Sequence, residues 1–151
     1  MPLLKFDLIE GRNQNQVRAL LDAAHDAMVQ AFGVPATDRY QCVTQHRPGE
    51  LIVEDTGLGY WRSHDVVLLT VVSRPRPQEE KVQFYRLLAE RLHERCGISR
   101  DDIVVSMIEN TDADWSFGEG RAQFLTGELG PRASSEGSDA KEIAELLVGY
   151  P

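Results

Sequence analysis

The chain has 151 residues, 42% of them apolar and 26% charged, with a formal net charge of −8. That is enough chain for one globular domain with a real core. An acidic surface excludes general binding to nucleic acid or an anionic membrane, so any bound anion must be held by a few local cations.

The start, "MPLLKFDLIEGR", lacks a basic segment followed by a long apolar run, so it does not read as a secretory signal. No apolar stretch approaches the roughly 18 residues of a membrane span. The expected compartment is the cytoplasm, and Cys42 and Cys96 are expected as reduced, unbridged thiols.

Leu3–Ile9 is a short apolar run that predicts a strand. The segment 20–45 carries Leu20, Leu21, Ala24, Met28 and Phe32 at helical spacing, closed by Gly33 at the position of a C-terminal cap. Tyr40–Thr44 predicts a second strand. "HRPGE" and "TGLGY" read as turns, and Leu51–Val53 as a short additional strand. Gly57 and Gly59 do not make a phosphate loop, because no helix follows them.

The pattern then repeats. Displaced by 64 residues, 20–45 overlays 84–109: Phe84, Tyr85, Leu88, Leu92 and Cys96 take the apolar positions, Gly97 meets Gly33, and Asp102 meets Asp38. Val66–Val72 and Ile103–Ile108 are the matching strands. Two strand–helix–strand units, about 2–60 and 66–129, predict an α+β fold: a four-stranded mixed sheet with two helices on one face. The other face stays uncovered, so the chain is expected to self-associate. "GPRASSEGS" from Gly130 to Ser138 reads as a linker, and 130–151 as a short C-terminal tail outside the 1–129 domain.

Candidate chemistry lies at a few positions. Removal of Met1 would leave Pro2 with a free secondary amine fixed at a strand end, able to act as acid, base or nucleophile; otherwise Pro2 simply starts the chain. "SRPRP" places Arg74 and Arg76 on alternate residues, each followed by a proline that keeps the backbone extended. Two guanidinium forks there suit a carboxylate; alternatively they form a solvated turn or pair with Glu79 and Glu80. Asp38 in "GVPATDRY" either satisfies a turn or orients a substrate carbonyl or water. Trp115, Phe117 and Phe124 form a late aromatic cluster, read by itself as a flap packing on the core or on a neighbour. His25, His46, His64 and His93 lack metal-ligand spacing, so no metal is expected.

An amino-terminal proline, a tandem β–α–β repeat and a basic strand–helix junction together resemble the tautomerase superfamily. The blocks "PLLKFDLIEGR", "DAAHDAMVQAFGVPATDRYQ", "QHRPGE", "EDTGLGY", "VVLLTVVSRPR" and "ENTDADWSFGEGRAQFLTGEL" are similar to its malonate semialdehyde decarboxylase family across residues 2–129. The resemblance implies a homotrimer that needs no cofactor and splits a small 3-oxo carboxylate into an aldehyde and CO2. It implies that Pro2, Asp38, Arg74 and Arg76 are catalytic, with Arg74 and Arg76 gripping the carboxylate. It also implies an apolar pocket wall from Trp115, Phe117, Phe124 and Leu129. Hydration, dehalogenation or tautomerisation of small unsaturated or 2-oxo acids in the same pocket, and a non-catalytic binding role, stay open as alternatives.

Overall fold

The computed structural model describes residues 1–129 of the chain; the 130–151 tail lies outside the described residues. The described chain forms two compact units, Met1–Glu109 and a second beginning at Asn110. The first contains β1 (Leu3–Ile9), α1 (Gln14–Phe32), β2 (Tyr40–His46), β3 (Val67–Ser73), α2 (Gln78–Cys96) and β4 (Ile103–Glu109). The second contains a 3-10 turn at Asp112–Asp114 and the short helix α3 (Gln123–Thr126).

The sheet order is β2-β1-β3-β4. β1 pairs parallel with β2, β3 pairs parallel with β4, and the two halves join where β1 runs antiparallel to β3. β1 to β3 and α1 to α2 are displaced by 64 residues at both ends, as the repeat predicts. The expected extra strand at Leu51–Val53 is absent, and β2 and β4 remain the edges. The backbone there is committed to turns on either side: Glu50 N–H donates to Arg47 O at 2.9 Å, and Gly57 and Gly59 N–H both donate to the Asp55 carboxylate.

Strand alternation decides the core. Leu4, Phe6 and Leu8 of β1 and Val67, Leu69 and Val71 of β3 are buried on the helical face. α1 lays Leu20, Ala24 and Met28 on them, and α2 adds Phe84, Leu88 and Leu92. Phe32 and Phe84 meet between the helices, with ring centroids 5.1 Å apart. On the opposite face, Leu3, Leu68, Val72 and Val104 are only half-buried, and Ile108 is 54% exposed.

Each helix is ended by its sequence. Asn13 and Gln16 form a reciprocal capping box at the start of α1. Gly33 and Gly97 close α1 and α2 in the left-handed conformation, at φ 62° and 65°.

Candidate active site

Register brings distant residues to one end of the sheet. Leu3 pairs with Tyr40 in the parallel ladder, so Pro2 lies beside the Asp38–Arg39 segment that leads into β2. Leu3 also pairs with Val72 in the antiparallel ladder, so Pro2 is next to Ser73, where the Arg74–Pro75–Arg76 turn begins. Pro2 itself is buried. Three segments some 35 residues apart in the chain thus converge because β1 is flanked by β2 and β3.

Asp38 is the least ordinary group at this end. It is 4% exposed, and neither carboxylate oxygen has a hydrogen-bond donor among the described residues. Burial raises its carboxyl above the usual carboxylate range. The positive amino terminus, Arg76 and His25 pull in the opposite direction, which places all three within electrostatic reach. The repeat supplies an internal control. Asp102, at the matching position, is 1% exposed but fully partnered: Ser63 donates its N–H at 2.6 Å and its hydroxyl at 2.5 Å. One buried aspartate holds a loop together; the other has no such serine.

Arg76 is also buried, with a side chain only 3% exposed. Its Nε donates to Ser73 Oγ at 2.9 Å and its Nη1 to Phe32 O at 3.3 Å. The guanidinium lies 4.4 Å from the Phe32 ring centroid and 3.6 Å from a Glu80 carboxylate oxygen. Pairing with Glu80, raised from sequence as the structural alternative, therefore does occur. Arg74 is half-buried on the same turn. The Arg76 backbone N–H faces Glu109, whose carboxyl is held low chiefly by the Lys81 ammonium.

Trp115, Phe117 and Phe124 form a cluster within the second unit. Trp115 stacks on Phe117 at 5.4 Å, and Phe124 meets Phe117 edge-on at 5.3 Å. Gln123 stitches the segment, accepting from Phe117 N–H and donating to Gly118 O; Leu129 N–H donates to Gln123 O at 3.3 Å. Among the described residues, no group of three or more His, Cys, Asp or Glu is placed to hold a metal.

Two tautomerase enzyme family models match this chain, one over residues 38–118 and one over 2–60. The probable tautomerase YrdN of Bacillus subtilis (strain 168) is 58% identical over 129 residues, covering 85% of this chain and all of the relative. The chain belongs to the tautomerase family. A solved malonate semialdehyde decarboxylase, whose structures were presented as a basis for its decarboxylase and hydratase activities, is 68% identical to this tautomerase. The TM-score is 0.83, over 84% of this chain and 98% of the other. The FG41 malonate semialdehyde decarboxylase inhibited by 3-bromopropiolate is 40% identical, with TM-score 0.82 over 86% and 99%.

One buried polar group within electrostatic reach of Asp38 escaped the sequence reading. His25, screened there only for metal-ligand spacing, is 6% exposed on α1, its ring nitrogen Nε2 lies 2.7 Å from Ala36 O, and Nδ1 is buried without a partner. It ties the helix to the loop carrying Asp38. The available signal was a histidine on the apolar stripe of α1, between Ala24 and Met28, which spacing for metal ligands does not test.

Proposed function

We propose that this tautomerase decarboxylates malonate semialdehyde to acetaldehyde and CO2 without a cofactor. The observation that carries the reading is the contrast between Asp38 and Asp102: the same repeat position, equally buried, with donors on one carboxylate and none on the other. A buried carboxylate without donors is costly, and such a cost persists where a site uses it. Removal of Met1 turns the buried Pro2 nitrogen from an amide into a secondary ammonium beside that carboxylate, supplying the missing donor.

Arg74 and Arg76 then hold the substrate carboxylate. Gripping that group does not by itself speed its departure, because it stabilises the ground state. The grip instead sets geometry, turning the scissile C–C bond perpendicular to the carbonyl plane so that its electrons enter the π system. Protonated Pro2 draws those electrons by polarising the aldehyde oxygen; a neutral Pro2 would do so by condensing to an iminium. Loss of CO2 leaves an enol, which takes up a proton at carbon to give acetaldehyde, or an enamine, which takes up a proton at carbon to give an iminium that water hydrolyses to acetaldehyde and free Pro2. Asp38 orients the amine, the carbonyl or a water. The activities named for the 68%-identical relative support a second reaction in the same pocket, hydration of a small unsaturated acid.

The test is the terminus. A variant that retains a residue before Pro2 keeps its nitrogen in an amide and should fold but fail to form acetaldehyde, followed by proton NMR. Native turnover by that variant would remove the prolyl amine from the mechanism. Asp38→Asn should lose about a hundredfold or more in kcat.

A further inference from the structure

The tandem repeat gives Arg76 a counterpart in Arg12, and the counterpart is incompletely partnered. Arg76 is surrounded by Ser73, Phe32 and Glu80. Displaced by 64 residues, those positions are held by Ile9, Cys96 and Gln16, which remove a hydroxyl, an aromatic ring and a carboxylate. The small thiol in place of a phenyl ring leaves space. A cavity of about 220 Å³ opens there, and its lining includes Arg12, Gln16, Leu20, Asp65, Arg95, Cys96 and Ile98.

The donors in that cavity are not used up. The Arg12 side chain is 11% exposed, and its Nη2 donates to Asp65 O at 2.6 Å, with the Asp65 carboxylate at 3.9 Å. Its Nε and Nη1 meet no acceptor among the described residues. Gln16 spends its carbonyl oxygen on the Asn13 N–H and leaves its amide N–H2 without an acceptor among them. Arg95 adds a second positive charge, shared with Asp26 at 2.5 Å. Leu20 and Ile98 give an apolar floor. The opposing carboxylates are Asp65, 66% exposed at its side chain, and Asp26, 51% exposed. Solvent screens both, whereas the Arg12 fork is sheltered.

We propose that this cavity is a second binding site, for a small carboxylate of about three or four carbons. The Arg12 fork and the Gln16 amide receive the carboxylate, and the carbon chain rests on Leu20 and Ile98 beside the Cys96 thiol. The proposal is independent of the chemistry assigned to Pro2, since Arg12, Gln16, Cys96 and Ile98 take no part in it.

Cys96 reports on the site directly. Iodoacetate and iodoacetamide both alkylate a thiolate with loss of iodide, and only iodoacetate carries a carboxylate. The ratio of their rates cancels the thiol's own reactivity, and free N-acetylcysteine sets the reference. At Cys96, followed by peptide mass spectrometry, the iodoacetate-to-iodoacetamide ratio should exceed the reference by about tenfold, the low end of electrostatic focusing in a cleft. Malonate should suppress the excess, Arg74→Ala should leave it, and Arg12→Gln should abolish it. Should Arg12→Gln fail to fold, Arg95→Gln is expected to reduce the excess instead. A ratio equal to the reference, an excess indifferent to both malonate and arginine, or a Cys96 closed to both reagents in the folded protein would each overturn the proposal.

Discussion

Asp38 and Arg76 carry both structure and candidate chemistry, and the two roles separate by measurement. Burial raises the Asp38 carboxyl above its ordinary value of 3.8. The folded state therefore binds the proton more tightly than the unfolded chain, and stability falls as pH rises from 3.8 through the raised value. Asp38→Asn removes that loss. In a chain that keeps Met1, the Asn variant's urea midpoint should exceed that of the Asp38 chain at neutral pH, with the advantage shrinking toward pH 3; in the Met1-free chain, where the prolyl ammonium partners the carboxylate, the advantage should be lost and activity should collapse. An Asn variant of the Met1-retaining chain that is less stable at every pH would show that the ionised carboxylate is well partnered without the prolyl ammonium. Arg76→Ala should cost about 1–3 kcal/mol of stability, because it removes the contact with the Phe32 ring and the hydrogen bond to Ser73. Half-buried Arg74 gives the cleaner functional test: Arg74→Ala should fold normally and lose about ten- to a hundredfold in kcat/KM, the worth of a charged hydrogen bond of roughly 1.5–3 kcal/mol.

Elements of the repeat are built alike but stabilised differently. α1 begins with the Asn13–Gln16 capping box, whereas α2 begins after Pro77 with no side-chain cap and relies on Glu79 and Glu80 in its first turn. Both end on glycine. A Cβ at Gly33 would meet nothing within 4 Å, so the cost of Gly33→Ala is conformational rather than steric. That substitution should destabilise the fold by about 1–2 kcal/mol, and Gly33→Asn by less, because asparagine tolerates the left-handed region. Urea unfolding of the two variants compares them directly; equal losses would point to a contact at Gly33 instead.

For the whole molecule, the open question is what covers the second face of the sheet. Leu3, Leu68, Val72 and Val104 lie there half-buried beside exposed Ile108. An apolar sheet face of this kind is stabilised by burial against another copy, and we propose the homotrimer that the sequence resemblance implies. Sedimentation equilibrium should give about three times the 17.0 kDa chain mass. Leu68→Lys, which places a charge on that face, should shift the distribution toward monomer. A native chain that is monomeric at micromolar concentration would exclude this assembly.

Local pattern was enough to specify the architecture. Periodicity, the two closing glycines and the 64-residue repeat each act within one strand or helix, and they identified four strands, two helices and a mixed sheet. Leu51–Val53 was misread because three apolar residues do not make a strand without an edge to pair with, and neighbouring turns had claimed the backbone. The environments of individual residues could not be read this way. Asp38 and Asp102 are equivalent in the repeat, yet only folding brings Ser63 to Asp102 and leaves Asp38 without donors. Arg12 and Arg76 are likewise equivalent, yet one packs on a phenyl ring and the other lines a cavity. Partners and burial depend on segments distant in the chain, so the same residue in the same local pattern acquires a different role only when the tertiary structure supplies its neighbours.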